Sequence, residues 1–466
     1  MTRADAGRPV LAMIESNTTG TGRTFAVAAR ARGLRPVLLS ARPDRYPWAV
    51  EDDVDVAWAD TNDATSVVAV ARAVATGRPL AGVVTSSEYF VAVTAKAATR
   101  LGLPGADPAA VERCRDKRRQ RVVLAGSGVA GPAYAAAGTP EEAVKAATLV
   151  GFPAVVKPAD GTGSRGVRLC CDPAEVRHHA ASLLAVRQDE RGQPTMPAVL
   201  VEEYVPGPEV SVETFGTDVV GITAKHLGRL PFFVECGHDF PADLASGPPG
   251  AATHLGGPTD RAPAADAVGG IAVAALEALG LGFGPAHIEI RLGRRGPVVI
   301  EVNPRLAGGR IPTLVRLATG IDLVGATVDA AVLGGCRSGA GLSLAAPAAV
   351  IGGTAPAPRG HASIRFLVAP RAGRVRATAG VAEAAAVPGV IDVAIAARAG
   401  QRVGGTGSFL DRIGHVITVA STAGAARSAA EAALALLHVD LDTADPGDGV
   451  GVAAVPLRRP TPTVVA

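Results

Sequence analysis

Residues 287–309 read HIEIRLGRRGPVVIEVNPRLAGG, and this stretch decides the fold. Two runs of alternating apolar residues, HIEIRL and PVVIEV, flank a Gly-Arg-Arg-Gly connection, which is the pattern of a β-hairpin. Strand side chains alternate between faces, so Glu289 points away from Ile290 and Glu301 away from Val302. In a hairpin centred on the turn, Glu289 and Glu301 come close to opposite each other and share a face. With the amide oxygen of Asn303 they form a hard-oxygen set suited to Mg²⁺, an ion that keeps phosphate and water ligands. Arg305, two residues on, then reaches an anion held by the metal. Any one of these residues alone reads as an ordinary charge on an exposed hairpin. The combination, closed by Asn-Pro and followed by Gly308-Gly309, argues against that.

Outward from the hairpin, the 466 residues allow two to four domains and a substantial core. Hydrophobic residues reach 48% but aromatics only 3%, so few rings are present on which bases could stack. The net charge is +3 with basic residues scattered, which gives no electrostatic case for nucleic acid. Five cysteines (Cys114, Cys170, Cys171, Cys236, Cys336) show no metal spacing and read as free thiols of a reducing compartment. No apolar run has the length of a signal peptide or an unbroken membrane span. The expectation is a cytoplasmic protein acting on small molecules, without nucleic-acid or membrane partners.

Residues 9–40 read as strand, glycine-rich loop, helix and strand, a βαβ unit opening a parallel sheet. The loop holds Gly20-Thr21-Gly22 but lacks the Lys-Ser/Thr of a P-loop, and Phe25 replaces the third glycine of a dinucleotide fingerprint. A later strand, AGVVTSSEYF, ends at Glu88, where open α/β sheets place ligands. Glu88 is a candidate substrate contact, or equally a glutamate starting a helix after a serine cap. Basic residues cluster on a helical stretch from Arg113 to Arg121, ordinarily a solvated face. Next, Lys157 ends the apolar strand FPAVVKP ahead of a loop with Gly161, Gly163, Ser164 and Gly166, whose N–H groups can approach phosphate. The connector EEYVPGPE, residues 202–209, can offer Glu202, Glu203 and Val205 to adenine and Glu209 to ribose hydroxyls.

Lys117, Lys157 with its glycine loop, the EEYVPGPE connector and the Glu289/Glu301/Asn303/Arg305 block follow one another along the chain. In that order they resemble the ATP-grasp superfamily, whose second metal strand typically reads E-x-N-x-R. The likeness covers roughly residues 105–335. It implies an α/β protein of ATP-grasp fold with a pre-ATP-grasp α/β domain over 1–105 and an ATP-grasp domain over 106–335. Within the latter a small lid lobe spans about 120–205. A C-terminal α+β subdomain similar to that of biotin-carboxylase-like members is expected over 336–440, then a flexible tail over 441–466. By the same likeness Lys117 and Lys157 contact ATP phosphates and the glycine loop covers them. Glu289, Glu301 and Asn303 bind Mg²⁺, or Mn²⁺ in its place, and Arg305 steadies the reactive phosphate, with Arg310 a second candidate.

The run IEVNPRLAGGRIPTLVRLATGIDLV, residues 300–324, and the segment ECGHDFPADL, residues 235–244, are similar to the L-amino-acid ligases. That implies a carboxylate–amine ligase working through an acyl phosphate, with a homodimer as the expected assembly. Glu235 and His238 then meet the amine or the amino-acid headgroup, His238 titrating near neutrality as a proton acceptor. Lys225 and His226 are weaker candidates for the same place. Three rivals stand beside this reading: a bicarbonate-using carboxylase of the same fold, a non-catalytic ATP-binding regulator, and a nicotinamide oxidoreductase built on the first loop. The last leaves the acidic hairpin unexplained.

Overall fold

The structure is a computed structural model that describes residues 7–17, 21–244, 265–333 and 358–443. Gly20 of the first loop, Cys336 and residues 444–466 of the expected tail lie outside the described residues. Strands β1 (Val10–Ile14), β2 (Arg35–Ser40), β3 (Asp55–Trp58) and β4 (Leu80–Val84) form a parallel sheet in the order β3-β2-β1-β4. β1 is VLAMI and wholly buried, as a parallel strand covered on both faces requires. Glu88 lies just past the carboxyl end of β4.

The basic stretch is two helices rather than one, Pro108–Arg115 and Lys117–Gly126, broken at Asp116. The Asp116 carboxylate caps the second helix by accepting from the Arg118 and Arg119 N–H groups. The break turns Lys117 and Arg121 inward, both buried, while Arg119 stays exposed. This face is therefore not solvated throughout. The lid lobe follows as β5 (Tyr134–Ala137), β6 (Ala154–Pro158), β7 (Arg168–Cys170) and β8 (Val199–Glu203), ordered β5-β8-β6-β7. Helices Pro140–Val150 and Pro173–Ala185 cover it through small faces such as Ala143, Ala147 and Ala180.

The remaining strands are β9 (Glu209–Phe215), β10 (Asp218–Leu227), β11 (Glu235–Phe240), β12 (Pro285–Gly293), β13 (Gly296–Asn303), β14 (His361–Val368), β15 (Gly373–Ala379), β16 (Val390–Ile395), β17 (Arg402–Val403), β18 (Arg412–Ala420) and β19 (His438–Thr443). Eight of them make one sheet, ordered β13-β12-β9-β10-β11-β14-β18-β16. The C-terminal strands therefore do not stand wholly apart: β14, β16 and β18 continue the central sheet, and only β15, β17 and β19 form a small sheet of their own. β11 supplies the junction, pairing with β14 through Gly237–Arg365 to Phe240–Ala362.

The β12–β13 hairpin forms as its alternation predicts, with Glu289 directly opposite Glu301 and His287 opposite Asn303. One face of the central sheet is apolar. There Val212, Ile288 and Val302 pack against Val268, Ala272 and Leu276 of helix Ala265–Leu279. By alternation, the opposite face takes the polar residues. Among the described residues, no single helix is long and apolar enough to cross a membrane.

Candidate active site

Antiparallel pairing stacks the polar face into rows. Arg291 of β12 pairs with Glu209 of β9, Glu209 with Lys225 of β10, and Lys225 with His238 of β11. The neighbouring row runs Glu301, Glu289, Ser211 and Thr223, and the next Asn303, His287 and Glu213. Directly paired residues point the same way, so residues spread over some ninety positions face one space. Lys225 Nζ lies 2.7 Å from Glu209, 2.8 Å from Glu235 and 2.8 Å from Glu289. Buried ammonium groups ordinarily lose their proton, but these three carboxylates hold the Lys225 pKa well above its usual range. Burial would likewise raise Glu289; Lys225 and His287 instead hold it well below the carboxylate range. Burial opposes charging of His287, yet Glu213, 3.0 Å from Nδ1, lifts it to about 9.

This face lines a cavity of about 500 Å³ between sheet, lid and N-terminal domain. Lys157, Gly163, Ser164, Glu202, Glu203, Val205 and Glu209 line it from the lid and connector. Glu289, Glu301, Asn303, Arg305, Glu88 and Glu235 line it from the other sides. Lys117 stands just behind the wall, donating to the Gly161 carbonyl and lying 3.0 Å from Glu301.

Other expected residues are placed differently. The Glu202 carboxylate is not offered to a ligand, because Lys157 at 2.6 Å and Arg121 at 2.7 Å clamp it. Gly166 packs on Leu183 and its carbonyl lies 2.8 Å from the His179 ring, so it shapes the loop without lining the cavity. Arg310 takes a left-handed φ of +59° at the start of helix Ile311–Thr319, and lies 3.5 Å from Asp392 outside the cavity. Glu88 begins a short 3-10 turn after Ser87, whose side chain makes no cap. Buried there, it binds both Arg115, at 2.9 Å, and Arg305. Burial alone would raise its pKa, but those two guanidiniums hold it at about 2.

His238 departs furthest from expectation. It lies in strand β11, fully buried beneath Gly309. Burial pushes its pKa down to about 3, Glu235 opposing and Arg412 and Lys225 adding to the fall. It therefore does not titrate near neutrality. Neither ring nitrogen has a hydrogen-bond partner among the described residues. Gly309, at φ +57°, must be glycine here: a Cβ would stand 2.4 Å from His238 Nε2.

The geometry agrees with three family matches along the chain: the ATP-grasp N-terminal domain over residues 26–105, the ATP-grasp domain over 150–248, and the L-amino acid ligase C-terminal domain 2 over 365–442. The uncharacterized protein y4rH of Sinorhizobium fredii is 38% identical over 417 residues, which span 90% of this chain and 80% of that protein. The chain belongs to the ATP-grasp superfamily. Carnosine synthase 1 of Gallus gallus is 31% identical over 254 residues, 51% of this ATP-grasp chain but only 26% of the synthase. The L-amino acid ligase of Bacillus licheniformis shares the fold, with a TM-score of 0.73 at 22% identity, covering 94% of this chain and all of that one. The three matched domains follow one another along this ATP-grasp chain in that order.

The donor set fits a divalent cation of the kind such enzymes use. Among the described residues no three or more His, Cys, Asp and Glu side chains form a metal cluster. The hairpin of this ATP-grasp protein therefore supplies two carboxylates and an amide oxygen, a partial shell that suits an ion keeping phosphate and water ligands. Several cavity residues escaped sequence reasoning. Arg412 binds Glu235, and its guanidinium lies 4.3 Å from the Phe366 ring centre. Arg291 lies 2.9 Å from Glu209. Phe409 and Leu410 come from a short 3-10 turn between β17 and β18. Strand alternation marked Arg291 as facing with Glu289, whereas nothing local marked Arg412 or Phe409.

Proposed function

We propose that the protein is an ATP-dependent ligase joining a carboxylate and an amine, both amino-acid-like, through an acyl phosphate, with ADP and phosphate as products. The observation that carries this is the face-sharing pair Glu289 and Glu301, with Asn303 and Arg305, opposite Lys157 and the Gly163–Ser164 loop across one cavity. Glu289, Glu301 and Asn303 would hold Mg²⁺, which neutralises phosphate charge when bound. Lys117 and Lys157 fix the nucleotide phosphates, and the connector's backbone around Val205 receives adenine, the Glu202 carboxylate being engaged elsewhere. A substrate carboxylate oxygen attacks the γ-phosphorus and the bond to the ADP oxygen breaks. The amine nitrogen then attacks the acyl carbon, and the carbon–oxygen bond to phosphate breaks. Arg305 stands where oxyanion charge develops, oriented by Glu88. The amine's proton leaves with the departing phosphate, a far stronger base than the buried His238.

A screen of ADP release over pairs of amino acids and small acids, with product masses, tests the reading. The expected result is release that needs both a carboxylate and an amine and is abolished in Glu301→Ala. An Arg305→Ala variant should lose on the order of 10²–10³ in kcat. Turnover with bicarbonate alone would sink the ligase assignment, and full activity in both Glu289→Ala and Glu301→Ala would sink the metal assignment. The homodimer proposed from the family likeness is checked by light scattering.

A further inference from the structure

The charges around the cavity are not evenly mixed. At the hairpin end Glu209, Glu235, Glu289 and Glu301 are all paired, by Lys225, Arg291, Arg412 and Lys117. The end formed by the N-terminal domain and the lid loop instead gathers Arg45, Arg115, Arg165, Arg191 and Arg305. Arg115 and Arg305 share Glu88, and Arg165 binds Glu190. Arg45 and Arg191, both lining the cavity and half-buried, make no ion pair with a carboxylate among the described residues. Arg191 donates to the Tyr46 hydroxyl and the Ser16 carbonyl, each at 2.9 Å, and Arg45 to the Glu190 carbonyl at 3.1 Å. All three acceptors are neutral, and neither guanidinium bonds a carboxylate directly; Glu15 reaches Arg191 only through the Tyr46 hydroxyl that both bind.

The nearby carboxylates are committed elsewhere. Glu15, behind Tyr46, accepts from Ser40, Thr61, the Ala41 N–H and the Tyr46 hydroxyl. Asp189 accepts from the Arg191 and Gln193 backbone N–H groups. Tyr89 stands between the Arg115 and Arg191 guanidiniums, 6.0 and 5.7 Å from its ring centre, and its hydroxyl donates to Glu190. Asn17 and Ser86 add neutral hydrogen-bonding groups to the same wall. Guanidinium forks suit carboxylate and phosphate oxygens, and in a half-desolvated cleft an unpaired pair of them favours an anion.

We infer that the reactant held at this end carries an anionic group besides its reacting centre, received by Arg45 and Arg191. The substrate class is then a dicarboxylic or phosphorylated amino acid or acid. This rests on the ligase reading and specifies one of its two substrates.

The test compares ADP release for aspartate with asparagine, glutamate with glutamine, and O-phosphoserine with serine, each offered with a panel of partners. An anionic member should exceed its neutral counterpart by about tenfold or more in kcat/KM. The first two pairs against the third tell a carboxylate from a phosphate. In Arg45→Gln and Arg191→Gln the anionic-to-neutral ratio should fall toward one, chiefly through KM. A merely structural role for either arginine would lower both members alike and leave the ratio. A wild-type ratio near one, or a ratio unmoved in both variants, overturns the inference while the ligase reading stands. Should no pair release ADP while the wider screen of amino acids and small acids does, the inference fails; should that wider screen stay silent too, the ligase reading fails. Calorimetry with aspartate against asparagine, in the presence of a non-hydrolysable ATP analogue and Mg²⁺, then decides the anion site: equal binding refutes it.

Discussion

At the scale of single residues, burial decides chemistry. His238 has an ordinary pKa of 6.5 and is held at about 3, so the folded protein resists a proton that the unfolded chain accepts. The folded pKa is depressed, so the native state gains nothing from acid. Stability contributed by the neutral ring is complete above pH 6.5 and lost as pH falls from there toward 3. The limiting slope for one such group is about 1.4 kcal/mol per pH unit. Urea unfolding at pH 7.5, 6 and 5 should show a steeper acid loss for the wild type than for His238→Asn; identical slopes would remove His238 as its source. The sequence marked His238 as a candidate but not its charge state, because the desolvating neighbours Gly309 and Phe366 come from elsewhere in the chain.

At the scale of elements, the segment GGTGSFLDR, residues 404–412, links the C-terminal strands to the lobe of β5–β8. Asp411 ties it together, accepting from the Thr406 N–H and hydroxyl and the Gly407 N–H at 2.8–3.0 Å. Its Phe409 N–H donates to the Gly163 carbonyl at 3.4 Å. The Phe409 ring leaves no room for a side chain on Gly163, where a Cβ would meet Cδ1 at 2.4 Å. Gly163 also has φ +64°, so this lid glycine answers to packing as well as to backbone conformation. Phe409→Ala should therefore loosen the phosphate loop and lower kcat/KM for ATP by about ten- to a hundredfold. Steady-state titration of ATP at fixed amine and carboxylate checks this, and an unchanged ATP KM would show the contact to be passive. The lid hairpin was readable from Lys157 and its glycines; its partner was not, because Phe409 lies 246 positions beyond Gly163 and carries no periodic signal.

At the scale of the whole molecule, the continuous sheet makes the seam between β11 and β14 carry the C-terminal part. Asp239, buried there, accepts from Ser363 at 2.6 Å, Arg365 at 2.8 Å and Arg427 at 2.9 Å, with His226 Nε2 at 2.8 Å. Burial would raise its pKa, but His226 and Arg365 hold it well below the carboxylate range. Asp239→Ala leaves buried Arg365 without its main counter-charge and should cost about 3–5 kcal/mol. Denaturant unfolding measures it, and a loss under 1 kcal/mol would mean that solvent or Glu431 replaces the carboxylate. By itself the sequence determined the βαβ opening, the β12–β13 hairpin with Glu289 facing Glu301, and the strand that ends at Lys157 ahead of its glycine loop. Those features follow from local periodicity and turn chemistry, which act over a few residues. The tertiary structure decided that Glu202 neutralises Lys157, that Arg310 points outward, that β14 extends the central sheet, and that Arg191 meets Tyr46 across 145 positions. Charge pairing and desolvation act through space, and folding alone sets which distant groups share that space.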